Sequence, residues 1–295
     1  MKTILVTGAN GFVGGRIVGR LLDAGYHVRA LVRRAGETPE LQRDGVTEVE
    51  GSFLDPADVR RALDGADAVV HTAATAGPDL DEVREVNKRG TAILSNAAIA
   101  ARAERFVHIS TASVYDRTPD LGDITEDTPK VGPDADPYSL TKWEAEQEVV
   151  AAMGDGLKAI ILRPPAVLGY GPSSTWGYRL PASIRDGDPA AARPAEQSLA
   201  FVHVDDLADA VVLALTELGA IGHTYDVCSG SVPWGRFTAD IAAWFGKEPP
   251  ALPDDDPWTG TIPAATIRQE LGWSPNVSYE DAMDESRRHW VPSEI

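Results

Sequence analysis

A single cysteine, Cys228, occurs among the 295 residues. An internal disulfide framework and a cysteine-built zinc site are thereby excluded. The thiol follows a β-branched run and reads as a small buried hydrophobe. Basic residues are scarce: 27 Lys and Arg stand against 45 Asp and Glu, a net charge of −18. Such a surface repels phosphate backbones, so no nucleic-acid partner is expected, and any anionic ligand needs a local cluster of Arg or Lys. No apolar run approaches the roughly 18 residues of a membrane span. Met1 and Lys2 lead straight into an apolar strand with no secretory h-region. A cytoplasmic protein without a membrane partner is the expectation. Histidines do not recur at ligand spacing, so no metal is expected, and Asp254, Asp255 and Asp256 read as a solvated loop.

What is present is alternation. Residues 2–7, 28–32, 68–71, 106–109 and 158–162 are short runs with the look of buried strands. Between them lie amphipathic stretches: residues 12–24, stopped by Gly25; a helix from Asp55 and Pro56 through Leu63; residues 82–101; and a helix from Asp136 and Pro137 toward Met153. This pattern predicts βαβ units and a parallel sheet, an α/β fold. Beyond Arg163 the texture changes. Residues 169–194, rich in Gly, Pro, Ser and Ala, are expected to be an irregular, substrate-facing loop. A strand at 201–204 leads into Asp205 as N-cap of a helix through Leu215, followed by a strand at 224–227 and a helix at 237–245.

Gly8, Gly11 and Gly14 lie between the first strand and the first helix, together with Asn10, Phe12 and Val13. Glycines at this spacing allow a tight turn, close approach of backbone to a pyrophosphate, and close helix–strand packing. The phosphates then meet the free N–H groups at the positive end of the helix. An NAD-selective site would place Asp or Glu at the end of the second strand; here Val32 is followed by Arg33 and Arg34. Guanidinium groups suit a ribose 2′-phosphate, so NADP(H) is expected to be preferred over NAD(H).

Tyr138 and Lys142 stand four apart just inside a helix, hence on one face. An ammonium near the phenol favours phenolate and lowers its pKa toward the range a proton donor needs. Ser110, Thr111 and Ser113 follow the strand at 106–109, where hydroxyls face the crevice at the carboxyl edge of an open sheet. There they can hydrogen-bond a substrate carbonyl.

With these pieces in place, the chain resembles the extended short-chain dehydrogenase/reductase family, also called the NAD-dependent epimerase/dehydratase family. The resemblance runs through the glycine loop, His71-Thr72-Ala73-Ala74, Asn87-Lys88-Arg89-Gly90-Thr91, the Thr111 segment and Tyr138/Lys142. It continues in Leu162-Arg163-Pro164-Pro165, Phe201-Val202-His203-Val204-Asp205-Asp206 and Leu271-Gly272-Trp273-Ser274-Pro275. It implies a Rossmann-type doubly wound parallel sheet over residues 1–165. Residues 166–295 would be mainly a smaller C-terminal substrate-binding lobe, with some segments returning to the sheet. It implies that Thr111, Tyr138 and Lys142 act together, with Lys142 also on the nicotinamide ribose and Arg163, Pro164, Pro165 and Val167 beside the nicotinamide. Ser52, Phe53, Thr72, Ala73, Ala74, Asn87, Ile109 and Ser110 complete the implied cofactor set. A homodimer through the helix at 138–153 is implied by analogy.

Departures from the family pattern choose among its chemistries. Dehydratases carry Asp-Glu after the hydroxyl residue; Ala112 and Ser113 stand there, which disfavours dehydration. Nucleotide-sugar epimerases have Asn where this chain has Ala166, and an Arg just ahead of the Phe201 segment to grip a diphosphate. Here that place reads Ser198-Leu199-Ala200, with Arg193 the guanidinium upstream. Ser52 replaces the Asp that touches adenine in relatives. Residues 25–33 look most like NADP-dependent carbonyl reductases such as dihydroflavonol reductases. The leading expectation is therefore NADP-dependent hydride transfer between a ketone and a secondary alcohol, on a small-molecule carbonyl or alcohol substrate. The alternative is a nucleotide-sugar epimerase with tightly bound NAD(P). A cofactor-binding sensor without chemistry is disfavoured by the intact Thr111, Tyr138 and Lys142. Thr75, Ser113, Trp176, Tyr178, Arg179 and Trp234 are the candidates for the substrate wall, the aromatic ones because they fall in stretches read as irregular.

Overall fold

The structure, a computed structural model, describes residues 2–188 and 192–291. Strand β1 (Thr3–Thr7) is buried from Ile4 onward, which forces it to the centre of a sheet covered on both faces. It pairs in parallel with β2 (His27–Val32) on one side and β4 (Ala68–His71) on the other. With β3 (Val46–Glu50), β5 (Arg105–Ile109), β6 (Ala159–Arg163) and β9 (Thr224–Asp226), the sheet has seven strands in the order β3-β2-β1-β4-β5-β6-β9. Every neighbouring pair is parallel. Strand order reverses between β1 and β4, and ligands of open α/β sheets bind at the carboxyl edge of that switch point. The expected parallel, doubly wound fold is present. The edge strand β3 was not read from the sequence: Glu48 and Glu50 alternate with Val49 on a half-open edge, so it lacks the apolar run of a buried strand.

The crossovers are helices whose ends are fixed by local chemistry. α1 (Phe12–Asp23) buries Ile17, Val18 and Leu21 and stops where Gly25 takes φ +84°. α2 (Pro56–Leu63) starts as expected: the Asp55 carboxylate accepts the Ala57 amide at 2.7 Å, a cap worth about 1 kcal/mol. The helix expected at 82–101 is interrupted. α3 (Leu80–Arg84) passes through one π turn, Glu85–Arg89, into α4 (Gly90–Ala100). α5 (Pro137–Gly154) is capped by Asp136, whose Oδ1 accepts the amides of Tyr138 and Ser139.

After β6 the chain builds the lobe. β7 (Ala166–Leu168), β8 (Ser198–His203) and β10 (Gly230–Pro233) form a small sheet. α6 (Leu180–Asp186) and α8 (Trp234–Trp244) pack there with α10 (Tyr279–Trp290) around Phe201, Phe237, Tyr279 and Met283. α7 (Val204–Thr216), α9 (Ala265–Leu271) and β9 return to the large sheet. Two expectations are corrected. The 169–194 stretch holds a π turn (Thr175–Arg179) and α6, because Trp176, Leu180 and Ile184 have a lobe core to pack against. The cap of α7 is His203, not Asp205: the imidazole accepts the Asp205 amide at 3.3 Å, leaving Asp205 in the first turn.

The lobe motifs act as fasteners. His203 Nε2 lies 2.9 Å from Glu285, whose other oxygen takes Arg16 at 3.3 Å, tying α10 to α1. Asp206 accepts the amides of Asn276 and Val277, and the Trp273 indole donates to the Asp206 carbonyl.

Candidate active site

A cleft of about 760 Å³ opens at the carboxyl edge of the sheet, between the glycine loop and the lobe. Its floor is built from backbone that tolerates no extra atoms. A Cβ on Gly14 would lie 2.1 Å from the Gly8 carbonyl oxygen, and Gly8, at φ +71°, has the Thr72 hydroxyl 2.6 Å from its own missing Cβ. The turn is closed by the Gly11 amide on the Gly8 carbonyl at 2.9 Å. Gly11 caps α1 without any side-chain acceptor, so the helix leaves its first N–H groups for a ligand, apart from the Phe12 amide, which donates to Ser173 Oγ at 3.0 Å. This cradle fits a dinucleotide pyrophosphate. Gly8, Gly11, Phe12, Val13 and Gly14 all line the cleft; Asn10 does not.

The far wall comes from the ends of β4, β5 and β6. Thr72 donates to the Thr7 carbonyl at 2.7 Å, and the Ala73 amide reaches the Thr7 hydroxyl at 3.4 Å. Thr72, Ala74 and Thr75 face the cleft, as do Ile109, Ser110, Thr111, Ser113, Pro164, Pro165 and Val167. Asn87 is not at the surface of the cleft. It is buried on the π turn, accepting the Thr75 amide at 2.8 Å while its Nδ2 donates to the Thr75 carbonyl and to Thr141 Oγ1 at 3.0 Å. The π turn thus aims one amide side chain at a loop and a helix at once, a common use of such bulges. Arg163 also points away. It forms a buried ion pair with Glu146 at 2.6 Å and donates to the Tyr115 hydroxyl at 2.9 Å. Its role is to brace β6, because a guanidinium so deep needs a carboxylate.

Tyr138 and Lys142 both line the cleft from α5. Burial pushes the Tyr138 phenol up, and the neighbouring Thr111 hydroxyl pulls the other way by a smaller amount. Lys142 is 2% exposed. Its ammonium donates to the Ile109 carbonyl at 2.8 Å and lies 3.4 Å from His108 Nε2. Burial lowers its pKa to about 8, with Glu146 pulling the other way. The expectation that the ammonium lowers the phenol's pKa is corrected: burial raises it, and the ammonium's hydrogen bonds go to β5. Thr111 itself caps the turn Ala112–Val114, its Oγ1 accepting the Ser113 amide at 3.1 Å. His71 is held between Thr7 and Thr91 at 2.7 and 2.9 Å, and burial lowers its pKa to about 3. It and His108, also lowered by burial, are neutral packing partners behind Lys142.

The remaining expected residues divide. Arg33 and Arg34 sit exposed at the end of β2, outside the cleft, with Arg34 paired to Glu37 at 3.0 Å. Ser52 and Phe53 also lie outside. The Ser52 amide donates to Asp58 at 2.8 Å, and the Phe53 ring packs on Gly90 and edge-on to His71. Trp176 and Arg179 line the cleft. Trp234 is corrected to a core residue, 2% exposed at the start of α8. Tyr178 stacks on Trp290, with ring centroids 5.2 Å apart, away from the cleft. Reading the 169–194 stretch as irregular made Tyr178 look available, and starting the later helix at 237 did the same for Trp234. Sequence reasoning missed Arg117, Ser173 and Asp136 as lining residues and named Arg193 only in passing; all four face the cleft. Among the described residues no group of three or more His, Cys, Asp or Glu is placed to hold a metal. Among them, too, no helix is long and apolar enough to cross a membrane.

The family model for the NAD dependent epimerase/dehydratase family matches residues 4–228. A Sinorhizobium fredii protein, "Uncharacterized protein y4nG", is 30% identical over 96% of this chain and 70% of its own length. A 2-alkyl-3-oxoalkanoate reductase of Shewanella oneidensis is 33% identical over 72% of this chain, which spans 57% of that protein's length. The chain thus covers little more than half of that curated reductase. Among solved structures, a short-chain dehydrogenase/reductase superfamily protein of Agrobacterium tumefaciens with bound NAD is 26% identical, with a TM-score of 0.80 over 97% of this chain and 96% of that one. UDP-glucose 4-epimerase of Thermus thermophilus in complex with NAD is also 26% identical, with a TM-score of 0.81 over 99% of this chain and 100% of that one. With the glycine cradle, the Tyr138/Lys142 pair and the strand order already in place, the chain is an enzyme of the NAD-dependent epimerase/dehydratase family, within the extended short-chain dehydrogenases/reductases.

Proposed function

We propose that this enzyme is an NADP-dependent oxidoreductase that moves a hydride between the cofactor and the carbon of a ketone or secondary alcohol. The observation that carries the reading is that Thr111, Tyr138 and buried Lys142 line one cleft together with the glycine cradle, Lys142 one helical turn behind the phenol. A bound nicotinamide dinucleotide supplies the hydride or accepts it. Gly8, Gly11 and Gly14 would hold its pyrophosphate, Lys142 its nicotinamide ribose, and Pro164, Pro165 and Val167 would flank the ring. Tyr138 delivers the proton to the substrate oxygen, which Thr111 orients by hydrogen bonding. Burial keeps the phenol protonated until that oxygen draws the proton off, so the group acts as an acid at neutral pH. The cleft walls contribute by holding donor and acceptor in one geometry.

NADP selectivity belongs to the same proposal and rests on Arg33 and Arg34 at the end of β2, where no carboxylate side chain ends the strand. Residues 1–165 then carry the cofactor and residues 166–295 mainly the substrate. A cytoplasmic homodimer, with exposed Val150 of α5 in the contact, completes the reading.

A second reading, nucleotide-sugar epimerisation, is favoured by length. UDP-glucose 4-epimerase of Vibrio cholerae is 27% identical over 98% of this chain and 96% of its own. Against it stands Ser198-Leu199-Ala200, which offers no guanidinium for a diphosphate. One assay separates the two. Mixed with a ketone, the enzyme consumes NADPH stoichiometrically under the first reading, and shows no net cofactor turnover under the second. Tyr138→Phe is expected to lower kcat by about 10²–10⁴ while cofactor Kd stays within about twofold. Turnover retained by that variant overturns the assignment of the proton donor.

A further inference from the structure

The substrate end of the cleft carries positive charge that the protein leaves unbalanced. Arg117 lies just past the turn Ala112–Val114, with its Nη2 donating to the Ala112 carbonyl at 2.8 Å and its guanidinium 5.0 Å from the centre of the Trp258 ring. Its Nε is buried and has no acceptor among the described residues. Arg193, an exposed residue ahead of β8, lays its guanidinium 4.8 Å from the Trp234 ring and 5.7 Å from Trp176. Both line the cleft. Loss of hydration lowers the pKa of each, and the charge of Arg193 lowers that of Arg117 further.

Neither arginine forms an ion pair among the described residues. Asp136, the acid that lines the cleft, is occupied: Oδ1 caps α5 and Oδ2 accepts the Ser139 hydroxyl at 2.5 Å. Asp226 acts on Arg117 through space, but it is bonded by the Tyr115 hydroxyl at 2.7 Å and burial pushes it up to about 7. A chain with a net charge of −18 has abundant acids to set against two guanidiniums. Two like charges facing one partly dry cleft weaken the empty protein and strengthen its grip on an anion. Stacking on tryptophan accounts for the position of each ring–cation pair; it leaves the orphaned Nε of Arg117 and the shared cleft unexplained.

We propose that Arg117 and Arg193 form an anion subsite, and that the carbonyl substrate carries a carboxylate a few bonds from the carbon that exchanges hydride. The short reach follows from Arg117, which is bonded to the carbonyl of the residue adjoining Thr111. Apolar Pro165, Trp176 and Leu199 also line the cleft and suit a short hydrocarbon chain. The inference rests on the oxidoreductase reading and deepens it by naming the substrate class.

The test uses the full chain saturated with NADP+ for binding and with NADPH for turnover. In calorimetric titration, pentanoate is expected to bind at least tenfold more tightly than 1-pentanol. Arg193→Gln should remove most of that advantage and Arg193→Lys restore part of it, which guards against a variant that merely misfolds. In turnover, 4-oxopentanoate is expected to exceed its methyl ester at least tenfold in kcat/KM. Equal binding of acid and alcohol overturns the subsite, as does an advantage that Arg193→Gln leaves intact. Acid and ester turned over equally also overturn it, while leaving the oxidoreductase reading standing. Arginine-dependent pentanoate binding without NADPH consumption by either ketone upholds the subsite and removes the oxidoreductase reading instead. UDP binding through the same arginines, with pentanoate not binding, overturns the carboxylate in favour of a nucleoside diphosphate.

Discussion

Replacing Gly14 by alanine tests the cofactor cradle most directly. The new Cβ would sit 2.1 Å from Gly8 O, 2.7 Å from Gly8 C and 2.9 Å from Thr72 Oγ1. Reaching even the 3.0 Å that real Cβ contacts respect requires a retreat of 0.9 Å, the difference between 3.0 and 2.1 Å. The obstructing atom is backbone and has little room to move. Gly8 is itself held at φ +71° against Thr72 and Ala73, and its carbonyl accepts the Gly11 amide. Overpacking of this kind costs about 1–3 kcal/mol of stability. It also displaces the amides that would meet the pyrophosphate. Losing one hydrogen bond to a charged group costs about 1.5–3 kcal/mol, or about 10- to 150-fold in Kd. Gly15→Ala is the control on the same helix: its Cβ meets only the Ala9 carbonyl, at 3.4 Å, and alanine gains up to about 1 kcal/mol in a helix. Urea unfolding of the free protein and NADPH fluorescence titration read the two effects separately. Wild-type NADPH affinity in Gly14→Ala, or equal damage from Gly15→Ala, refutes the cradle.

Arg33→Asp is expected to lower the ratio of NADP to NAD affinity at least tenfold, measured by titration with each cofactor; an unchanged ratio removes Arg33 from the 2′-phosphate. Glu285, hydrogen-bonded to His203 and near Arg16, is held down to about 2 from its ordinary 4.5. Its deprotonated form is the one the fold prefers, so its contribution is full above about pH 4.5 and is lost as pH falls toward 2. Urea midpoints measured from pH 5 downward should therefore fall less steeply in Glu285→Gln than in the wild type; parallel profiles contradict this. Arg163→Met leaves Glu146, 1% exposed, without its partner and should cost about 3–5 kcal/mol in urea unfolding. Adding Glu146→Leu should recover a large part of that loss. A single-variant cost below about 1 kcal/mol contradicts a bracing role.

Local chemistry made much of this protein readable before any tertiary contact was known. The runs at β1, β2, β4, β5 and β6 are apolar because the strands are covered on both faces, and the glycine loop is readable because only residues without a Cβ fit a turn this close to a neighbouring strand. Asp55 and Asp136 announce their helices because a cap is a contact within three residues. The unread elements depend on distant partners. β3 is half exposed and alternates charge with Val49. α6 and the start of α8 look irregular until the lobe core they pack against is assembled. The π turn at Glu85–Arg89 has no signature of its own, and its use emerges only when Asn87 meets Thr75 and Thr141.

Side-chain direction was the part that spacing left open. Tyr138 and Lys142 were placed on one face by a four-residue interval, yet where the ammonium bonds depended on β5 lying behind it with a free carbonyl at Ile109. Arg163 sits in a motif beside the expected nicotinamide site, and alternation along β6 turned it toward Glu146 instead. Arg117 and Arg193 are 76 positions apart in the chain and carry no shared pattern; folding alone brought them to one cleft. By itself, then, the order of residues determined the strands, the caps and the phosphate-binding turn, whose causes lie within a few bonds. The tertiary structure decided which charges face each other, because burial and counter-charge are properties of neighbours in space.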